Sequence, residues 1–210
     1  MSAEPEPELA PPTPDQLCDF ASLGTSTVYE GSGLDCWVDP GIRPVWPGAR
    51  VAGPAFPARG ERGDNLALQY AMREAPPGSV IVYDGGGGEF GYCGEILASV
   101  ALVRGVCGLV IDGTVRDIDE MAGMGFPVFA RGVAMRHAAK RDPGTRGEPV
   151  MLGHRMVRMG DVVVADTDGV VVVAAEQISL ALDGAIARRD FERDRLAKIR
   201  SGAIPPVKSE

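Results

Sequence analysis

Two apolar runs constrain this chain more than any other feature: Ser79-Val80-Ile81-Val82-Tyr83 and Leu109-Val110-Ile111. Their β-branched and aromatic residues predict strands, and the unbroken apolarity of the second predicts burial on both faces. Between them lie four glycines, Gly85 to Gly88, and then Glu89-Phe90-Gly91-Tyr92-Cys93-Gly94-Glu95. A helical segment from Ile96 to Arg104 follows, with Leu97, Val100, Ala101 and Arg104 on one face and Gly105 placed as its cap. Beyond the second run comes Asp112-Gly113-Thr114-Val115-Arg116-Asp117. The order is therefore strand, glycine loop, helix, strand and charged loop, which gathers backbone amides, an arginine and carboxylates within one stretch.

The rest of the chain reads around that centre. At 210 residues it is long enough for one full core, so one domain is expected. Residues 1–12 alternate Pro with Glu and Ala and are expected to be a disordered tail. Thr13-Pro14-Asp15-Gln16 predicts a capped helix start, with Gly24 as its end. Residues 25–60 are expected to form short strands broken by glycine and proline, Val51 to Phe56 among them. Gly63-Asp64-Asn65 introduces a helix that Pro76-Pro77-Gly78 terminates. Phe126-Pro127-Val128-Phe129 predicts an edge strand because of its proline. Asp161 to Asp166 and Gly169 to Ala174 predict a hairpin around Thr167-Asp168. A charged helix from about Ala175 to Ser201 follows, and residues 202–210 form a tail. Strands and helices mix without regular alternation, so the fold class is α/β, with both parallel and antiparallel pairing.

Charge and cysteine usage exclude several functions. Net charge is −8 and the pI about 4.9, with no basic cluster to offset them, so no nucleic-acid partner is expected. The basic stretch from Arg131 to Arg146 also carries Asp142 and reads as a solvated loop. The four cysteines, 18, 36, 93 and 107, have no paired metal spacing and read as reduced thiols. Only His137 and His154 are available for a zinc site, too few for a His-rich one. No apolar run reaches about 18 residues, so no membrane partner is expected. The N-terminus lacks the pattern of a signal peptide, and a cytoplasmic location is expected.

On residue types alone, the chemistry stays open. The glycine loop before a helix suits anion binding and a structural turn equally, and it lacks the spacing of a phosphate or dinucleotide loop. Glu95, Arg116 and Asp117 offer a hard divalent cation one or two carboxylates beside a cationic clamp. A plain surface ion pair explains Arg116 as well. Asp112 reads as a turn residue before Gly113. Cys93 is a weak candidate nucleophile, and neither histidine neighbours a serine motif for a hydrolase.

Gly94-Glu95-Ile96-Leu97, Arg104-Gly105-Val106-Cys107-Gly108-Leu109-Val110-Ile111-Asp112-Gly113 and Val115-Arg116-Asp117 together resemble one family. It is the family of 4-hydroxy-4-methyl-2-oxoglutarate aldolases and the regulator of ribonuclease activity A. The resemblance runs from about Thr13 to Arg195 and includes Gly53-Pro54-Ala55, Gly63-Asp64-Asn65 and Gly160-Asp161…Asp168-Gly169-Val170. It implies a layered mixed-sheet fold of the swivelling β/β/α type, a single domain over 13–201. Glu95, twenty residues, then Arg116-Asp117 matches the aldolase branch; the regulator branch typically lacks the acidic residue.

By that resemblance, Asp117 holds a divalent metal, Mg²⁺ or else Mn²⁺, and Glu95 supports it through water. Glu192 from a neighbouring subunit completes the outer shell. Amides of Gly94, Glu95, Ile96 and Leu97 take the carboxylate of a small α-keto acid, and Arg116 contacts its oxygens. The implied activity is that of a class II aldolase or oxaloacetate decarboxylase releasing pyruvate, in a homotrimer or homohexamer. The alternative it implies is a non-catalytic protein that binds and inhibits a ribonuclease. The chain departs from the family pattern at Met159, His154 and Tyr29-Glu30, and Tyr92 and Cys93 are expected to line the loop entrance.

Overall fold

The computed structural model describes residues 11–204. Most of the expected N-terminal tail, and 205–210 of the C-terminal one, lie outside the described residues. In chain order the elements are α1 (Pro14–Leu23), α2 (Thr25–Ser32), β1 (Arg43–Pro44), β2 (Val51–Arg59), α3 (Leu66–Glu74) and β3 (Val80–Asp84). Next come α4 (Glu95–Val103), β4 (Gly108–Asp112), β5 (Thr114–Val115), α5 (Ile118–Gly123), β6 (Val128–Ala130) and β7 (Gly132–Val133). The chain ends in β8 (Thr145–Arg146), β9 (Val150–Leu152), β10 (Arg155–Val157), β11 (Val162–Asp166), β12 (Gly169–Val173), a 3₁₀ turn (Ala175–Gln177) and α6 (Ile178–Arg200).

The main sheet runs β1-β6-β4-β3-β2-β11-β12, with β8 also on β2. Strands β2, β3, β4 and β6 are parallel, whereas β1, β8, β11 and β12 join antiparallel. Helices α3, α4 and α5 each connect one parallel strand to the next, and they cover one face. The side chains sort by the period of two: Ile81, Tyr83, Leu109 and Ile111 face these helices. Val80, Val82 and Val110 face the other way, onto Val150, Leu152 and Val157 of the β9–β10 hairpin. The β11–β12 hairpin is buried on both faces, which explains its near-continuous valines. Val163 and Val172 join the sheet core, while Val162, Val164, Val171 and Val173 meet α1, α2 and α6. The result is the mixed α/β layered single domain expected. Among the described residues, no helix is long and apolar enough to cross a membrane.

The capping box at Thr13 and Gln16 forms, with Pro14 in the first turn and Gly24 ending the helix. Two expectations are corrected. The Phe126–Phe129 strand is not at the edge, because β1 pairs with it on the outer side; Pro127 stands just before β6, where its carbonyl still accepts the Leu109 N–H at 3.0 Å. Residues 25–32 are helical, not extended, although Thr25-Ser26-Thr27-Val28 favours strand.

Tertiary packing overrides that preference. Asp166 on β11 accepts the Thr25 N–H at 2.9 Å and its hydroxyl at 2.6 Å, which satisfies the helix start. Helix α2 then lies directly on α6 through paired glycines. A Cβ on Gly184 would stand 2.2 Å from the Gly31 carbonyl oxygen, and one on Gly31 2.6 Å from the Ala185 Cα. Gly184→Ala is therefore expected to destabilise by about 1–3 kcal/mol, even though alanine is the better helix former. Urea denaturation checks this, with Gly123→Ala, which meets nothing within 4 Å and has no positive φ, for comparison; an unchanged midpoint for Gly184→Ala would contradict the packing argument.

Candidate active site

The site lies beyond the carboxyl ends of β3 and β4, where open parallel sheets place ligands. A small platform is built there from three segments. Gly91 bridges Thr114, and β5 pairs with β7 in parallel. The Tyr92 N–H donates to the Thr114 carbonyl, the Gly91 N–H to that of Arg136, and the Arg116 N–H to that of Cys93. Glycines 91 and 94 leave space for the next layer. A Cβ on Gly91 would come within 2.9 Å of the Arg116 Cδ, and one on Gly94 within 2.2 Å of the Asp117 Oδ2. Both positions require glycine because Arg116 and Asp117 pack against the backbone itself.

Asp117 is the only non-glycine residue with positive φ among the described residues, at φ 57 and ψ 49. Such a conformation costs an L-residue about 1–2 kcal/mol, least for Asp and Asn. It turns the carboxylate back onto α4, where Oδ2 accepts the Glu95 N–H at 3.1 Å and stands 3.7 Å from the Arg116 Nε. The amides of Ile96 and Leu97 belong to the same first turn, whose N–H groups find no intrahelical acceptor. Both residues line a pocket of about 150 Å³ together with Gly91, Tyr92, Gly94, Arg116 and Asp117. Its remaining lining is Asn65, Gln69 and Arg73 from α3, and His137, Ala138 and Lys140.

Arg116, Asp117 and the 94–97 turn thus meet at one pocket. The Glu95 backbone joins them, while its side chain points to solvent and is absent from the lining. Glu192 is elsewhere in this chain: it accepts from Arg188 at 2.6 Å, and Arg188 also pairs with Glu30 on α2. Glu30, one of the departures from the family pattern, therefore helps set the position of Glu192.

Several expectations change. Of the two readings left open for glycines 85–88, the structural turn holds, because three of their amides are used internally: those of Gly85 and Gly87 donate to the Asp112 carbonyl, and that of Gly86 to Asp84. The Tyr92 hydroxyl accepts the Gly63 N–H at 2.7 Å and has the carbonyls of Gly85, at 2.8 Å, and Gly87, at 3.1 Å, as acceptors for its one proton. Tyr92 and Cys93 are buried side chains rather than an exposed loop entrance; Tyr92 contributes to the pocket lining and Cys93 does not. Asp112 is more than a turn residue, since it takes Arg131, which also reaches Asp39. The Arg131–Arg146 stretch is likewise more than a solvated loop, as Arg146 pairs with Glu74 and covers Tyr70.

Sequence reasoning missed Asn65, Gln69, Arg73, His137 and Lys140 as pocket residues. The signal available was Gly63-Asp64-Asn65, since the Asn65 Nδ2 donates to the Tyr92 carbonyl at 2.8 Å.

Among the described residues, no three His, Cys, Asp or Glu groups are placed to hold a metal together. Mg²⁺ needs only one or two carboxylates, with waters and ligand oxygens filling its octahedron. Asp117 supplies one such carboxylate, whose Oδ2 is engaged by the Glu95 amide.

The fold and site define a class: an α/β domain whose parallel-strand ends carry a compact pocket in which helix-start amides and an arginine lie beside a lone carboxylate. Comparison with known proteins narrows this. The chain belongs to the RraA-like family (Aldolase/RraA), whose model matches residues 16–172. It is 37% identical over 78% of its length to a Halalkalibacterium halodurans protein, of which it covers 78%, named as a candidate 4-hydroxy-4-methyl-2-oxoglutarate aldolase. Among solved structures, it resembles an uncharacterized protein from Pseudomonas syringae pv. tomato, with TM-score 0.84 and 30% identity over 97% of this chain and 96% of that one. It also resembles RraAS2 of Streptomyces coelicolor, described as an unusual member of the RNase ES inhibitor RraA protein family. There the TM-score is 0.78 and identity 26%, over 90% of this chain and 99% of that one.

Cys93 is 1% exposed, and burial pushes its thiol up to about 12. At pH 8 its thiolate fraction is roughly one in ten thousand, which removes it as a nucleophile. Labelling the native protein with a thiol reagent at pH 8 is expected to leave Cys36 and Cys93 unmodified, while Cys18 and Cys107 are exposed. Mass spectrometry of the labelled peptides reads this, and rapid modification of Cys93 would refute it.

Proposed function

We propose that this protein is a divalent-metal-dependent lyase that cleaves a C–C bond next to an α-keto acid. Its reactions are retro-aldol cleavage of a 4-hydroxy-2-oxo acid to pyruvate and a second carbonyl compound, and decarboxylation of oxaloacetate. The observation that carries the reading is the convergence of Arg116, Asp117 and the first-turn amides of α4 on one pocket. The similarity to proteins named as aldolases supports it.

Asp117 would hold the cation, Mg²⁺ or Mn²⁺, which when bound supplies Lewis-acid polarisation of the keto oxygen. The Ile96 and Leu97 amides receive the substrate carboxylate, where the positive end of the helix favours an anion. This orients the 2-oxo group toward Arg116. As the bond between C3 and C4 breaks, its electron pair moves onto C3 and the keto oxygen. The Arg116 guanidinium donates to that oxygen as its charge grows. The 4-hydroxyl proton passes to water at the open mouth, for which Glu95 is the rim carboxylate. Water returns a proton to C3 and pyruvate leaves. Oxaloacetate loses CO₂ through the same charge distribution.

Asp117→Ala is expected to abolish Mg²⁺-dependent pyruvate release from oxaloacetate, and Arg116→Gln to lower kcat by about 10²–10³-fold. Coupled pyruvate detection measures both. Metal-loaded wild-type protein that turns over no α-keto acid would end this reading. The similarity to RraAS2 would then favour the second one, a ribonuclease-binding protein whose co-purification with that nuclease survives Asp117→Ala.

The site is proposed to be completed in a trimer or hexamer by Glu192 of a neighbouring subunit. In support, α6 has no buried residue after Ala185, so its charged end extends from the body. Glu192→Gln is expected to lower turnover without changing the thermal midpoint. Size-exclusion chromatography that recovers a fully active monomer would contradict the assignment.

A further inference from the structure

A lyase that makes pyruvate must put a proton on C3, and a positioned side chain does this far faster than water alone. The pocket offers few groups for the task. Guanidinium and ammonium groups keep their protons at neutral pH, which sets aside Arg73, Arg116 and Lys140 in the lining. The Asp117 carboxylate is engaged by the Glu95 amide. The Tyr92 hydroxyl serves Gly63 and the glycine loop, and burial raises its pKa. Asn65 and Gln69 are amides, which do not titrate. His137 is what remains of the polar lining, and imidazole both gives and takes a proton near neutral pH.

The segment that carries His137 is pinned on both sides. Before it, the Ala134 N–H donates to the Val115 carbonyl at 3.0 Å, and the Arg136 carbonyl accepts the Gly91 N–H at 2.8 Å. After it, the Ala139 N–H donates to the Gly63 carbonyl at 2.7 Å, and the Asn65 N–H to the Ala139 carbonyl at 2.9 Å. The Arg141 N–H then donates to the Asp64 Oδ2 at 2.6 Å. Both flanking side chains are committed elsewhere. Arg136 lies 4.5 Å from the centre of the Phe90 ring, and Ala138 is buried in the core. His137 is left exposed at the pocket, and among the described residues no group hydrogen-bonds its ring. A fixed backbone thus carries a ring that is available to a ligand.

We propose that His137 is the acid–base group of this site and delivers the proton to C3 of the pyruvate enolate. This rests on the lyase reading, which supplies the enolate. His137 stands between the water at the mouth and the substrate. In the retro-aldol direction the 4-hydroxyl proton passes through water to the imidazole. The O–H electron pair becomes the carbonyl bond of the departing fragment, and the pair of the C3–C4 bond moves onto C3 and the keto oxygen. The imidazolium then breaks its N–H bond as the C3–H bond forms, the keto group is restored, and the ring returns neutral. One proton leaves oxygen and one arrives on carbon, so no co-reactant is needed. When oxaloacetate loses CO₂, the same imidazolium protonates C3 and regains its proton from water.

The test is exchange of the methyl protons of pyruvate for deuterium in D₂O with Mg²⁺, followed by NMR, which reads proton transfer at C3 without the C–C step. The wild type is expected to exchange them, and His137→Ala and His137→Gln to slow exchange by about 10²-fold or more. Added imidazole is expected to restore part of the rate in His137→Ala, where the ring has left space for it. Oxalate offers carboxylate oxygens but no carbon to protonate, and calorimetric titration is expected to give it the same affinity in the wild type and both variants. His154→Gln removes the other histidine, which stacks on Trp37 with ring centroids 4.2 Å apart, and is expected to exchange like the wild type. Exchange that survives in both His137 variants would overturn the proposal. So would oxalate affinity lost in step with exchange, which would make His137 a binding residue, or imidazole that restores nothing. Failure of this assignment shows only in the variants. A wild type that exchanges no pyruvate protons and releases no pyruvate would remove the lyase reading, and the assignment with it.

Discussion

The site depends on one close contact: the Asp117 carboxylate lies against the Cα of Gly94 and takes the Glu95 amide. No side chain fits between them. The contact needs a left-handed aspartate on one side and a residue without Cβ on the other, and the chain supplies both. The strained backbone at Asp117 is offset locally by the hydrogen bond to Glu95 and by the Met121 N–H that its carbonyl accepts. Holding a carboxylate in this way fixes its direction before any ligand arrives, which is what positioning chemistry demands.

That contact rests in turn on Tyr92. Its hydroxyl gathers the Gly63 amide and two carbonyls of the glycine loop, and its carbonyl takes Asn65. Burial raises the phenol pKa, so the ring stays neutral and can donate as well as accept. Gly86, Gly87 and Gly88 all have positive φ, so the loop can wrap a phenol this closely only with glycine. The densest run of glycines in the chain therefore serves an internal tyrosine, and the amides without an intrahelical acceptor belong to the turn that follows.

What was legible in the sequence was local. The Thr13 capping box, the two-period strands and the Pro76-Pro77 stop are decided by residues within one turn of each other. Arg116 and Asp117 were legible because they follow a strand directly. Residues 25–32 were not, since their helix is imposed by Asp166 and by Gly184, far away in sequence. Lys140 was hidden for the same reason. Its stretch looks like a solvated loop until Asp64 is seen to bind the Arg141 amide. The placement of Cys93 failed on a question of direction, because a residue beside a helix start can face the core as easily as the ligand.

The charge balance of the pocket links the two halves of the functional reading. A divalent cation approaching Asp117 meets one carboxylate and, nearby, Arg116, Arg73 and Lys140. Those cations weaken the hold of a lone aspartate on a divalent ion, an effect that solvent screens at the exposed Arg73 and Lys140. On the lyase reading, the carboxylate and keto oxygen of a bound substrate would share that positive charge with Asp117, so that substrate and cation would favour each other's binding.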